Sequence, residues 1–94
     1  MAVQFLVHHE SDNVGVAVDD LESGSVVTGR YRDQAGDLSI TLTTAAPLGH
    51  KIAMKDISKG KEVIEYGVVI GLATTDISLG EIVHVHNMKG QRWN

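Results

Sequence analysis

The chain has no cysteine, a single proline and only four aromatic residues among 94. Each scarcity removes a class of function. Without cysteine, this chain contributes no disulfide and no thiolate-held iron–sulfur cluster. Phe5, Tyr31, Tyr66 and Trp93 are too few to build the stacking platform that single-stranded nucleic acids use. Long apolar runs are missing too: the longest, Val68-Val69-Ile70-Gly71-Leu72-Ala73, is far below the ~20 residues that cross a bilayer. The opening MAVQFLVHHESD has no basic segment followed by a long apolar one, so no secretory leader and a cytoplasmic location are expected. Positive charge is also in deficit. Eight Lys and Arg face 12 Asp and Glu, a formal net charge of −4. That balance opposes general nucleic-acid binding, which needs a basic face to displace counterions. Neither nucleic acid nor membrane is an expected partner.

What is present reads as β-structure. Valine is abundant, there are 10 glycines, and short β-branched stretches alternate with Gly, Asp, Asn and Ser. The pattern predicts strands over residues 3–8, 14–18, 25–29, 38–43, 51–54, 62–64, 68–72 and 82–86, with a hairpin tip at 33–37 (DQAGD). No segment shows a sustained 3.6-residue period. The expectation is one all-β domain spanning residues 1–94, with a modest core and little helix.

One frame recurs: Asp20-Leu21-Glu22-Ser23-Gly24, Asp56-Ile57-Ser58-Lys59-Gly60 and Asp76-Ile77-Ser78-Leu79-Gly80. Each reads as a turn. The aliphatic residue plugs the core, the Asp accepts hydrogen bonds from N–H groups just ahead of it, and Gly takes positive φ before the next strand. These units are scaffold.

Chemistry is expected elsewhere. His84-Val85-His86-Asn87 sits at the end of the last predicted strand, where residues two apart share a face roughly 7 Å apart. Both imidazoles would then look one way, suited to a shared metal ion or anion, or simply to solvent. His50 and Lys51 follow the bend Pro47-Leu48-Gly49 and point to opposite faces. Lys51 suits a substrate carboxylate as a point charge, and His50 suits a further ligand or base. His8 and His9 also alternate, with His9 sharing the side of Phe5 and Val7 and expected at the end of a buried row. Asp12 and Asn13 read as turn formers. Tyr66 is expected to pack its ring at the core edge with its hydroxyl toward a cleft. The bases concentrate in the second half, where Lys51, Lys55, Lys59, Lys61, Lys89 and Arg92 accompany His50, His84 and His86. A local site for a small acidic ligand or an acidic partner surface remains open.

With these stretches in view, "DNVGVAVDDLESGSVV", "GHKIAMKDISKG", "VIEYGVVIG" and "GEIVHVHN", in this order, resemble the SAF domain in the form carried by altronate and galactarate dehydratases. The resemblance covers about residues 5–92 and is weakest over 31–46. In layout, including the tail KGQRWN, it is similar to the standalone small subunits of that family, as in (2R)-sulfolactate sulfo-lyase. The resemblance implies a β-clip fold and a lyase that removes water or sulfite from 2-hydroxy acids. It implies a large catalytic subunit as partner and a hydroxy acid as substrate, and leaves open self-association of the isolated chain. It also implies a divalent metal, iron among the candidates. On this reading His50, Lys51, His84 and His86 are catalytic, His84 and His86 ligate the metal, and Asp12, Asn13, Tyr66 and Asn87 bind substrate. The competing reading is a non-catalytic SAF module for binding or assembly.

Overall fold

The computed structural model describes residues 2–90, which form strands joined by turns, bends and irregular stretches, with no helix among them. Nine strands follow one another: β1 Phe5–Val7, β2 Val14–Ala17, β3 Val26–Tyr31, β4 Asp37–Thr41, β5 Lys51–Ala53, β6 Glu62–Glu65, β7 Val68–Ala73, β8 Ile82–Val83 and β9 Met88–Gly90. They form a six-stranded sheet ordered β4-β3-β1-β2-β5-β8 and a three-stranded sheet ordered β6-β7-β9. β1 runs parallel to β3, and the other pairings are antiparallel. The architecture is all-β, as the short, turn-bounded strands predict, and is consistent with the β-clip that the resemblance implies.

Two cores share the middle strands. Phe5, Val7, Ala17, Leu21, Val27, Ile40, Leu42, Ala46 and Ile52 form one. Val14, Ala53, Ile57, Val63, Ala73, Ile77 and Val83 form the other. β2 and β5 feed both: Ala17 and Ile52 enter the first, Val14 and Ala53 the second. Burial on two sides explains why Ile52 and Ala53 are both apolar and buried at consecutive positions instead of alternating. Gly29 permits the first core to close, because a Cβ there would lie inside the Phe5 ring.

The turns organise the rest. The unit at 56–60 faces the unit at 76–80 through reciprocal bonds: Ile57 N–H donates to Ile77 C=O, and Ile77 N–H to Ile57 C=O, both at 2.8 Å. The unit at 20–24 faces residues 45–49 in the same way, through Leu21 and Ala46 at 2.9 Å each. Residues 45–49 (Ala-Ala-Pro-Leu-Gly) are therefore a fourth copy of the turn, hidden because Ala45 stands where the others have Asp. Its Gly49 has φ 86°, against 82°, 86° and 87° at Gly24, Gly60 and Gly80.

One expectation is corrected. The aspartates do not cap their own turns; each caps the facing one. Asp56 accepts from Leu79 N–H at 2.8 Å, Asp76 from Lys59 N–H at 2.9 Å, and Asp20 from Leu48 N–H at 2.9 Å. The hollow of about 210 Å³ lined by Asp56, Ile57, Ser58 and Asp76, Ile77, Ser78 is the seam between two such turns. No helix among the described residues is long and apolar enough to cross a membrane.

Candidate functional site

The last predicted strand ends early. β8 stops at Val83, and residues 84–87 form a turn in which Asn87 N–H and Met88 N–H both donate to His84 C=O, at 3.0 and 2.9 Å. The cause is Asn87. It is fully buried, accepts His84 N–H on Oδ1 at 2.9 Å, and donates from Nδ2 to Ile82 C=O at 2.9 Å and to Glu81 at 3.4 Å. A buried amide with partners on both ends bends the chain back into β9, a strand absent from the expected set. Strand alternation therefore does not govern His84 and His86. Both are exposed, and between them Val85 is 79% exposed.

His84 finds a different neighbour. Lys51 pairs with Val83 in the antiparallel β5–β8 register, so His50 and His84 are the next residues beyond that pair. Their ring centroids lie 5.3 Å apart with planes tilted by 48°. Beside them Leu48 and Val85 are exposed aliphatics. The result is an open imidazole patch at one end of β5.

Lys51 turns away to a second cluster. Its Nζ is 3.8 Å from Glu65 Oε1, while Glu65 Oε2 is 3.6 Å from His8 Nε2. His8 stacks on Tyr66, centroids 3.9 Å apart and planes within 7°. His8, expected on the side of Gln4 and Leu6, is the enclosed one, with its side chain 10% exposed. His9, expected at the end of a buried row, is exposed and bonds Ser11 Oγ through Nδ1 at 2.7 Å. β1 stops at Val7, so alternation ends before both histidines. Glu65 escaped the sequence reading, although a signal existed: it alternates with Val63 on the buried face of β6.

Asp12 and Asn13 build the support for this cluster. Asp12 is buried and its carboxylate accepts from His9 N–H (3.2 Å), Tyr66 N–H (2.9 Å) and Gly67 N–H (2.8 Å). Those last two residues form the β6–β7 turn with φ of 58° and 70°, the paired positive values of a tight hairpin. Tyr66 is the one non-glycine among the described residues with positive φ, and the carboxylate holds it there. Asn13 uses both ends of its amide on β6: Nδ2 donates to Glu62 C=O at 2.8 Å, and Oδ1 accepts Ile64 N–H at 2.7 Å, beside the bulge at Val63/Ile64. Asp12, Asn13 and Asn87, expected to bind substrate, thus have their polar atoms engaged with backbone. Tyr66 keeps its ring 65% exposed over His8 instead of at the core edge. Arg92 and the rest of the QRWN tail lie outside the described residues.

Among the described residues, no group of three or more His, Asp or Glu side chains is placed to hold a metal ion. His50 and His84 supply two nitrogen donors, fewer than a resident zinc or iron centre needs.

The family model for the altronate/galactarate dehydratase SAF domain matches residues 3–91. The chain belongs to that SAF-domain family. It is 43% identical over 94 residues to (2R)-sulfolactate sulfo-lyase subunit alpha of Chromohalobacter salexigens, covering 99% of this chain and 100% of that one. It is 40% identical over 87 residues to altronate dehydratase of Escherichia coli, and 38% identical over 74 residues to galactarate dehydratase (L-threo-forming) of the same organism. These stretches are 16% and 12% of the two dehydratases. Within the SAF family this chain therefore matches a subunit end to end, and only a small part of the dehydratases.

Proposed function

We propose that this chain is the small subunit of a cytoplasmic lyase acting on 2-hydroxy acids. It completes an active site whose larger part belongs to a catalytic partner. The observation that carries this reading is the end-to-end match to a protein named as subunit alpha of a sulfo-lyase.

The chemistry explains why a partner is needed. A base removes the hydrogen α to the carboxylate, the electron pair forms a carbon–carbon double bond, and the β-group leaves as water or sulfite. The resulting enol then tautomerises to a 2-keto acid. Such a reaction needs a base poised near working pH, positive charge for the carboxylate as charge develops on it, and help for the leaving group. His50 and His84 supply imidazoles able to accept or donate a proton. His86 lies on the same turn as His84, and Lys51, next to His50 in the chain, supplies a cation. The imidazoles lie on an open surface, whereas ligand pockets usually enclose most of their ligand. A partner surface closing over the patch supplies that enclosure, and the flanking Leu48 and Val85 suit such a contact. If the assembled enzyme holds a divalent cation, His84 with His50 or His86 would offer it imidazole nitrogens, and the larger chain would have to supply the remaining ligands.

The test is co-expression with the adjacent reading frame for a larger chain. A panel of sulfolactate, altronate and galactarate is then assayed for sulfite and 2-keto acid. Turnover is expected from the complex and from neither chain alone. Full turnover by the large chain without this one would refute the proposal and favour a binding or assembly module.

A further inference from the structure

The Lys51–Glu65–His8 row has a geometry that structural ion pairing alone does not require. The Glu65 side chain is 11% exposed, a degree of burial at which a carboxylate is normally held by direct hydrogen bonds. Yet the nitrogens nearest it stand at 3.8 Å (Lys51 Nζ) and 3.6 Å (His8 Nε2), both beyond the 2.7–3.2 Å of a hydrogen bond. The carboxylate lies between two donors and is committed to neither. Lys51 is the accessible end, its side chain 32% exposed. His8 is the closed end. Its Nδ1 is sealed from solvent without a hydrogen-bond partner, its face is covered by Tyr66, and its Nε2 edge is turned to Glu65. The tautomer with its proton on Nε2 aims an N–H at the carboxylate and leaves only a bare lone pair at the sealed nitrogen.

We propose that Glu65 is an internal stand-in for the acid group of the ligand. It occupies Lys51 until the carboxylate or sulfonate of a 2-hydroxy acid displaces it, and His8 receives the displaced carboxylate. The required motion is short: closing from 3.6 Å to a normal hydrogen bond on Nε2 is a shift of about 0.8 Å. No covalent step is involved. Before the exchange the lysine charge is matched internally. Afterwards it is matched by the ligand, and Glu65 is held by an imidazole donor. The device makes Lys51 selective, because an incoming anion must outcompete a carboxylate already at the ammonium. Asp12 is a positioning residue here, since it fixes the turn that places Tyr66 over His8.

The choice of a 2-hydroxy acid rests on the lyase reading; the anion exchange does not. The test uses the full chain alone, titrated with sulfolactate and, separately, with lactate, and followed by NMR at the Lys51 ammonium and the His8 ring. Both resonances are expected to move together. E65Q, which keeps the shape and removes the competing charge, should tighten binding on the order of fivefold, the weight of one unit charge at this range in water-like screening. K51M should abolish it. H8F keeps the stack on Tyr66 but removes the receiver, so it should weaken binding, and E65Q should rescue it in the double variant. An E65Q chain that binds no tighter, or a folded K51M chain that binds as well, would overturn the proposal. Failure of the lyase reading looks different: the anion still moves Lys51, but no turnover appears with the large chain.

Discussion

Asp56 and Asp76 are exchanged between facing turns: the first caps Leu79 N–H and the second caps Lys59 N–H. Neither turn is complete without the other, so the unit of structure is the pair, and each pair ties together two distant stretches of chain. Removing either carboxylate by D56A or D76A should cost about 1 kcal/mol, the usual worth of a capping side chain. Because the two caps sit in one reciprocal unit, the double variant should depart from additivity. Urea unfolding of the four chains measures both effects.

The other pair contains a natural gap. Asp20 caps Leu48 N–H, but Ala45 carries no carboxylate to give Ser23 N–H the equivalent cap. A45D restores the missing acceptor at an exposed position. It should stabilise the protein by about 0.5–1 kcal/mol, visible as a rise in Tm of several degrees for a domain of this size. No rise at moderate salt, where repulsion from Asp19, Asp20 and Glu22 is screened, would show that the turn gains nothing from capping.

Asn87 decides the shape of the imidazole patch. N87A removes acceptor and donor together from a fully buried position, leaving His84 N–H and Ile82 C=O without their partner. A loss of about 2–3 kcal/mol is expected. H84A and H86A, by contrast, truncate exposed side chains and should stay within about 0.5 kcal/mol of the parent. If the lyase proposal holds, the two histidine variants lose turnover in the complex while keeping full stability, which separates site from scaffold.

Among the described residues, the clear electrostatic shifts belong to one ion pair, in the β3–β4 hairpin. The hydrogen bond from Arg30, at 2.9 Å, holds the Asp37 carboxyl below its ordinary range, and the same contact raises the Arg30 guanidinium. A carboxyl shifted down stabilises the fold above its unfolded titration range, and that contribution fades as pH falls through its folded range. D37N should therefore be less stable than the parent near neutrality and converge with it in acid. The pair is solvent-exposed, so the gap should be small and shrink with salt. A difference that persists unchanged at low pH would point to lost packing instead of lost charge.

At Gly29 the constraint is space. G29A puts a methyl group where the Phe5 ring lies, and relief requires movement of β3 against β1. Overpacking of this kind costs about 1–3 kcal/mol. The double variant with Phe5→Leu should recover part of it; no recovery would locate the strain in the backbone.

Much of the fold was legible because local chemistry and tertiary structure agree. The β-branched runs at 14–17, 26–31 and 68–73 pair as strands, and the three Asp-to-Gly frames are turns. The contacts among the candidate residues were not legible in the same way. His50 and His84 do meet, but through the β5–β8 register and not through alternation along one strand. The pairing of Lys51 with Glu65 joins positions 14 residues apart through two different sheets, which no local pattern encodes.

By itself, then, the sequence determined the elements: short β-branched strands and glycine turns with positive φ, with no helix among the described residues. These depend on steric preferences within a few residues. Only the tertiary structure decided which turn each aspartate completes, where the last strand stops, and which side chains face Glu65. Those outcomes depend on buried polar groups finding partners anywhere in the chain. A buried amide such as that of Asn87 bends the backbone toward whatever satisfies it.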